Sequence, residues 1–133
     1  MNDELRQLVG NRAARTCEYC RVPQAFDPLP FGIDHIRPQY HHGLSIADNL
    51  CLCCFQCNTF KAVNIAGYDP QTNQLSELFH PRQALWAEGF EFRGGRIVGK
   101  SAVGRTTADV LRLNLPERVE FRRLLAALGV LAP

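Results

Sequence analysis

Apolar residues in this chain come in short stretches whose period changes along it. Leu5, Leu8 and Val9 stand at helical spacing behind Asn2 or Asp3 as cap, which predicts a short helix over residues 3–14. Phe31 to Ile36 and Leu50 to Cys53 are brief apolar runs that read as strands. A polar connection, Arg37 to Asn49, separates them, and Pro23, Pro28, Pro30 and Gly32 mark residues 21–32 as a loop. A short helix is expected from about Phe55, ending before Gly67.

Beyond Asp69-Pro70 the pattern becomes irregular. Trp86 to Phe92, Gly94-Gly95 and Arg96 to Val98 read as a β-hairpin with a glycine turn. Thr106-Thr107-Ala108-Asp109 resembles a capping box for a helix through Leu113. A last helix is expected from Pro116, with Phe121, Leu124, Leu125 and Leu128 on one face and Gly129 as its stop. Trp86 and its aromatic neighbours are expected in the core. Together these elements predict an α+β fold in a single domain, residues 1–133, with no internal repeat.

At 133 residues, 46% of them hydrophobic and 21% charged, the chain suits one compact domain and not wholesale disorder. The longest apolar run, Leu124 to Ala132, is far too short to span a membrane. The polar start, Met1-Asn2-Asp3-Glu4-Leu5-Arg6, predicts no export signal, and so a cytoplasmic protein. A formal charge of +2 disfavours bulk electrostatic attraction to nucleic acid. That mean conceals an Arg-rich stretch: residues 93–123 hold eight basic against three acidic side chains.

Six cysteines without an export signal point to metal rather than disulfides. Cys17-x-x-Cys20 and Cys54-x-x-Cys57 are two pairs able to close one tetrahedral Zn²⁺ site. Cys51 and Cys53 alternate with Leu50 and Leu52 and are expected as small core residues, although a ligand set drawing on one of them also satisfies the spacing.

Between the two pairs lie Gly32-Ile33-Asp34-His35-Ile36-Arg37-Pro38 and Asp48-Asn49-Leu50, and the second pair continues into Asn58-Thr59-Phe60-Lys61. Asp34 is a hard oxygen donor suited to Mg²⁺ or Mn²⁺. His35 offers an imidazole that can take a proton from water at neutral pH. Asn58 directly follows Cys57, so a knuckle built on Cys57 would fix where its amide points.

Taken in order, D-H-x-x-P, D-N-L and C-x-x-C-N-x-x-K over residues 17–61 resemble the HNH endonuclease family. The resemblance implies a ββα-metal core with a treble-clef-like zinc knuckle, motif core 17–66, followed by an extension, 67–133, with a β-hairpin and C-terminal helices. It implies that Asp34 and Asn58 hold one catalytic divalent ion, Mg²⁺, Mn²⁺ or another. His35 would be the general base, and Asn49 would pin the loop beside it. The ion would stabilise the departing 3′ oxygen of a DNA phosphodiester, leaving a 5′ phosphate and a 3′ hydroxyl. Lys61, Arg37 and His41 are the candidates for nucleic-acid contact.

His41-His42-Gly43 stands where the family often has His-Gly-Gly, which marks His42 as a departure. Segments of the extension resemble small stand-alone bacterial HNH proteins, with Gly89 where those commonly carry His. Because net charge is low, the grip on DNA is expected to be local, from a bound metal and the Arg93–Arg123 stretch. The competing readings are a zinc-stabilised nucleic-acid-binding module without cleavage and, further off, a protein-interaction zinc domain.

Overall fold

Asn2 accepts a hydrogen bond from the Leu5 amide at 2.9 Å and so opens the first helix, α1 (Asp3–Arg12), of a computed structural model that describes residues 1–131. Of the three apolar residues expected on its inner face, Val9 is buried and Leu5 half-buried, while Leu8 is exposed. The cysteine-bearing turn that follows leads to an antiparallel hairpin of β1 (Gly32–His35) and β2 (Leu50–Cys53). Asp34 pairs with Cys51 and His35 with Leu50. Only Cys54 separates β2 from α2 (Phe55–Lys61), which completes a ββα unit.

Period-two alternation gives β2 two different faces. Leu50 and Leu52 pack with Val9 beneath α1. Cys51 and Cys53 turn the other way, into the main core with Tyr19, Phe79 and Trp86, as expected for core cysteines. The Tyr19 hydroxyl lies 3.7 Å from Cys51 Sγ. That core draws on both the motif region and the extension.

The extension is more regular than its sequence pattern. β3 (Ala66–Tyr68) and β4 (Leu75–Glu77) form a hairpin where irregular chain was expected after Asp69-Pro70. Asp69 organises its turn. It accepts from the Gln71 amide at 2.9 Å and the Thr72 hydroxyl at 3.1 Å, and from Arg105 at 3.0 and 2.8 Å. These bonds, led by the one from Arg105, hold its carboxyl down at about 2.

The strand expected from Trp86 starts only at Phe90. Trp86 instead opens a single helical turn, α3 (Trp86–Gly89), ahead of β5 (Phe90–Arg93) and β6 (Arg96–Gly99). The turn buries the indole against Phe90 and Phe92 while its Nε1 donates to the Tyr19 carbonyl at 2.8 Å.

The next helix, α4 (Ala102–Val110), starts at the Ser101 cap and not at Thr106. Thr106 and Thr107 are buried within it, and the Thr107 hydroxyl accepts from the Phe79 amide at 2.8 Å.

α5 (Pro116–Ala127) ends where Gly129 takes φ +74°, the left-handed position that favours glycine. Its expected apolar face is corrected by the structure. Leu124 and Leu128 are 50% and 69% exposed, and the buried residues are Arg118, Arg122 and Leu125. Among the described residues no helix is long and apolar enough to cross a membrane.

Candidate metal centre and active site

Cys17, Cys20, Cys54 and Cys57 bring their sulfurs within 4.8 Å of one another, and all four are buried. A Zn–S bond of about 2.3 Å in a tetrahedron requires sulfurs about 3.8 Å apart. Cys20 and Cys54 Sγ stand 3.7 Å apart.

Local backbone donates into this cluster. The amides of Cys20 and Cys54 point at Cys17 Sγ at 3.5 and 3.4 Å, and that of Cys57 at Cys54 Sγ at 3.4 Å. Burial pushes the Cys57 thiol up, as do Cys17, Cys20 and Cys54 around it. Four thiolates packed this closely are stable together only around a cation. The donor set and its spacing therefore fit one tetrahedral zinc ion, and Cys51 and Cys53 stand outside the cluster.

Side chains from β1 and α2 meet beside the knuckle. Asp34 is buried, with Lys61 Nζ 3.1 Å from its Oδ2. The contact lacks hydrogen-bond alignment, and Oδ2 accepts no hydrogen bond. Burial pushes the Asp34 carboxyl up and the Lys61 ammonium pulls it back. Lys61 is itself 1% exposed and also donates to the His35 carbonyl at 3.3 Å. Lys61, a candidate for nucleic-acid contact, is thus held by Asp34 and the His35 carbonyl.

Asn58 stands on α2 one turn before Lys61. Its Nδ2 would lie 3.7 Å from a Cβ placed on Gly32, two residues before Asp34 on the same face of β1. One carboxylate and one amide oxygen form a hard donor set, and the Asp34 oxygen that accepts no hydrogen bond already draws one positive charge, the Lys61 ammonium. These residues fit a divalent ion.

His35, next in the strand, projects from its other face and places Nε2 2.8 Å from Ser45 Oγ. Asn49 ties down the connection that carries Ser45. It accepts from the Arg37 amide at 2.8 Å and donates to the carbonyls of Arg37 and Leu44, both at 2.9 Å. Gly43 must be glycine here, because a Cβ would fall 1.7 Å from the Arg37 carbonyl oxygen.

His42 takes φ +67°, which explains why glycine suits that position. The Arg37 guanidinium donates to the His41 carbonyl at 2.7 Å, and His41 Nε2 donates to the Val63 carbonyl at 3.0 Å. His41 is therefore engaged in holding the loop against the end of α2, and Arg37 remains exposed.

Two contributors escaped the sequence pattern. Ser45 is an ordinary loop serine with no spacing signal. Arg12, in the last turn of α1, donates to the Ala47 and Leu50 carbonyls at 3.0 and 2.7 Å, on either side of Asn49. The Arg93–Arg123 stretch divides between exposed and buried side chains. Arg93 and Arg123 pair with Glu91 and Glu120, Arg105 with Asp69, Arg112 lies over Phe60, and Arg118 and Arg122 are buried.

Residues 17–62, which contain the knuckle, the hairpin and α2, match the family model described as HNH endonuclease. The match covers about a third of the chain and makes this segment similar to the HNH endonuclease domain, a nuclease-type unit. No curated protein and no solved structure matches the chain.

Proposed function

We propose that the protein is a metal-dependent endonuclease that hydrolyses DNA phosphodiester bonds. The observation that carries this reading is that Asp34, His35, Asn49 and Asn58 all lie on one hairpin-helix unit within the HNH-matched segment. His35 acts as general base on a water molecule, with its ring oriented by Ser45. Asn49 holds the Arg37–Leu44 backbone, and through it the wall of the site, in one shape. Asp34 and Asn58 hold the divalent ion. When bound, that ion supplies charge stabilisation to the phosphate and the departing 3′ oxygen. Lys61 keeps the buried Asp34 carboxylate compensated. Arg37, which is exposed, meets substrate phosphate.

A structural zinc ion on Cys17, Cys20, Cys54 and Cys57 fixes the start of α2, and hence Asn58, relative to β2. Residues 67–133 act as an extension of the same domain. The test is conversion of supercoiled plasmid to nicked or linear DNA in Mg²⁺ or Mn²⁺, abolished by EDTA. Salt-sensitive DNA binding with no cutting under any divalent ion would instead favour a zinc-stabilised binding module.

A further inference from the structure

Arg118 reaches the cysteine cluster from α5, outside the HNH-matched segment. Its Nη1 donates to the carbonyls of Leu111 and Arg112 at 2.8 and 3.2 Å. Its Nη2 donates to Cys57 Sγ at 2.9 Å and lies 4.0 Å from Cys54 Sγ. The contact to Cys57 is shorter than the backbone N–H···S contacts of 3.4 and 3.5 Å in the same knuckle. Among the described residues, Cys57 Sγ receives no backbone donor, and Arg118 pairs with no carboxylate.

A guanidinium that is 5% exposed needs a compensating anion, and a thiolate is the anion within its reach. Two carbonyls fix the plane of the guanidinium, so its approach to the sulfur is set before any metal binds.

We propose that Arg118 is a positioning residue of the zinc knuckle. It serves as the outer-shell donor that orients and charge-compensates the Cys57 thiolate, so that the extension forms part of the metal site. The inference rests on the reading that the four cysteines hold zinc. Four thiolates around Zn²⁺ carry a net −2, and Arg118 cancels half of it at one of the two ligands, Cys20 and Cys57, that local backbone leaves without a donor.

Arg122 supplies the control. It lies on the same helix and is equally buried, but it donates to the Gly95 carbonyl at 2.8 Å, the Leu113 carbonyl and Asn114. Holoprotein is assayed for zinc content and for zinc affinity by competition with a chromophoric chelator. Arg118→Gln is expected to weaken zinc binding roughly 10- to 100-fold, with Arg118→Lys recovering part of the loss. Arg122→Gln lowers the melting temperature but shifts zinc affinity by less than about threefold, because it touches no ligand.

Should Arg118→Gln fail to fold, Co²⁺-substituted Arg118→Lys decides the matter. A sulfur-to-cobalt charge-transfer band displaced from that of the wild type supports the role, and an unmoved band overturns it. Equal weakening by Arg118→Gln and Arg122→Gln, or wild-type affinity in Arg118→Gln, also overturns the role of Arg118 while leaving the zinc reading intact. Wild-type protein that holds no zinc overturns that reading itself and this inference with it.

Discussion

Lys61 Nζ lies 3.1 Å from Asp34 Oδ2, and the two side chains are 1% and 10% exposed. Removing one member of a buried ion pair typically costs about 3–5 kcal/mol, because the other charge is left uncompensated. Lys61→Met is therefore expected to melt well below the wild type in EDTA. A divalent ion on Asp34 and Asn58 would restore the missing positive charge. Added Mg²⁺ or Mn²⁺ should then raise the melting temperature of Lys61→Met more than that of the wild type. Calorimetry at matched ion concentrations checks this, and equal responses would argue against an ion on Asp34.

Asn49 and Gly43 form a second coupled pair. The three Asn49 hydrogen bonds to Arg37 and Leu44 close only if the backbone at Gly43 passes close to the Arg37 carbonyl. Asn49→Ala leaves partly exposed groups that water can reach, so its stability cost should be about 1–2 kcal/mol. Nuclease activity should fall much further, by roughly 100-fold, as the site wall loses its shape. Gly43→Ala should reproduce the activity loss, since its Cβ forces the same backbone apart. Denaturant unfolding and plasmid-cleavage rates measured together separate the two effects.

The four-cysteine assignment predicts opposite outcomes for neighbouring cysteines. Cys54→Ser should lose bound zinc and much of its thermal stability, since Cys54 is both a proposed ligand and the cap of α2. Cys51→Ala removes a core thiol beside Tyr19 and should retain one zinc per chain. Metal analysis of both purified variants provides the check, and zinc loss from Cys51→Ala would reopen the alternative ligand set.

His80 provides a pH signature. Burial lowers its affinity for a proton relative to the unfolded chain. The unfolded state therefore binds more protons as pH falls below about 6.5, and stability declines from there down through the lowered folded value. Replacement by Gln removes this titration. Between pH 7 and pH 5, His80→Gln should lose less of its melting temperature than the wild type does. Parallel pH–melting profiles would remove His80 as the cause.

The ββα unit was legible in the sequence because its signals are local. Paired cysteines at fixed spacing, two short apolar runs and Asn58 immediately after Cys57 each retain their meaning without knowledge of the remaining chain. The extension was less legible because its interior is unusually polar. Apolar periodicity put Leu124 and Leu128 inward on α5. The core presents a cysteine sulfur and the carbonyls of Gly95, Leu111 and Leu113 at that point, so Arg118 and Arg122 are buried instead. The same cause displaced the start of α4. Thr106 and Thr107 resemble a cap, yet both are interior, and Ser101 caps the helix. Lys61 and His41 were candidates for nucleic-acid contact, and their internal partners were not legible. The acceptors that engage them, Asp34 and the Val63 carbonyl, are distant in sequence from each.

The proposed chemistry rests on His35, whose ring reaches Ser45 while its neighbour Asp34 faces α2. The most direct measurement is single-turnover cleavage of supercoiled plasmid by wild type and His35→Ala in saturating Mg²⁺ or Mn²⁺, with zinc content and divalent-ion affinity determined on the same samples. If His35 is the general base, the alanine variant retains its zinc and its ion affinity but cuts at least about 100-fold more slowly. Cleavage by His35→Ala at the wild-type rate would contradict that role.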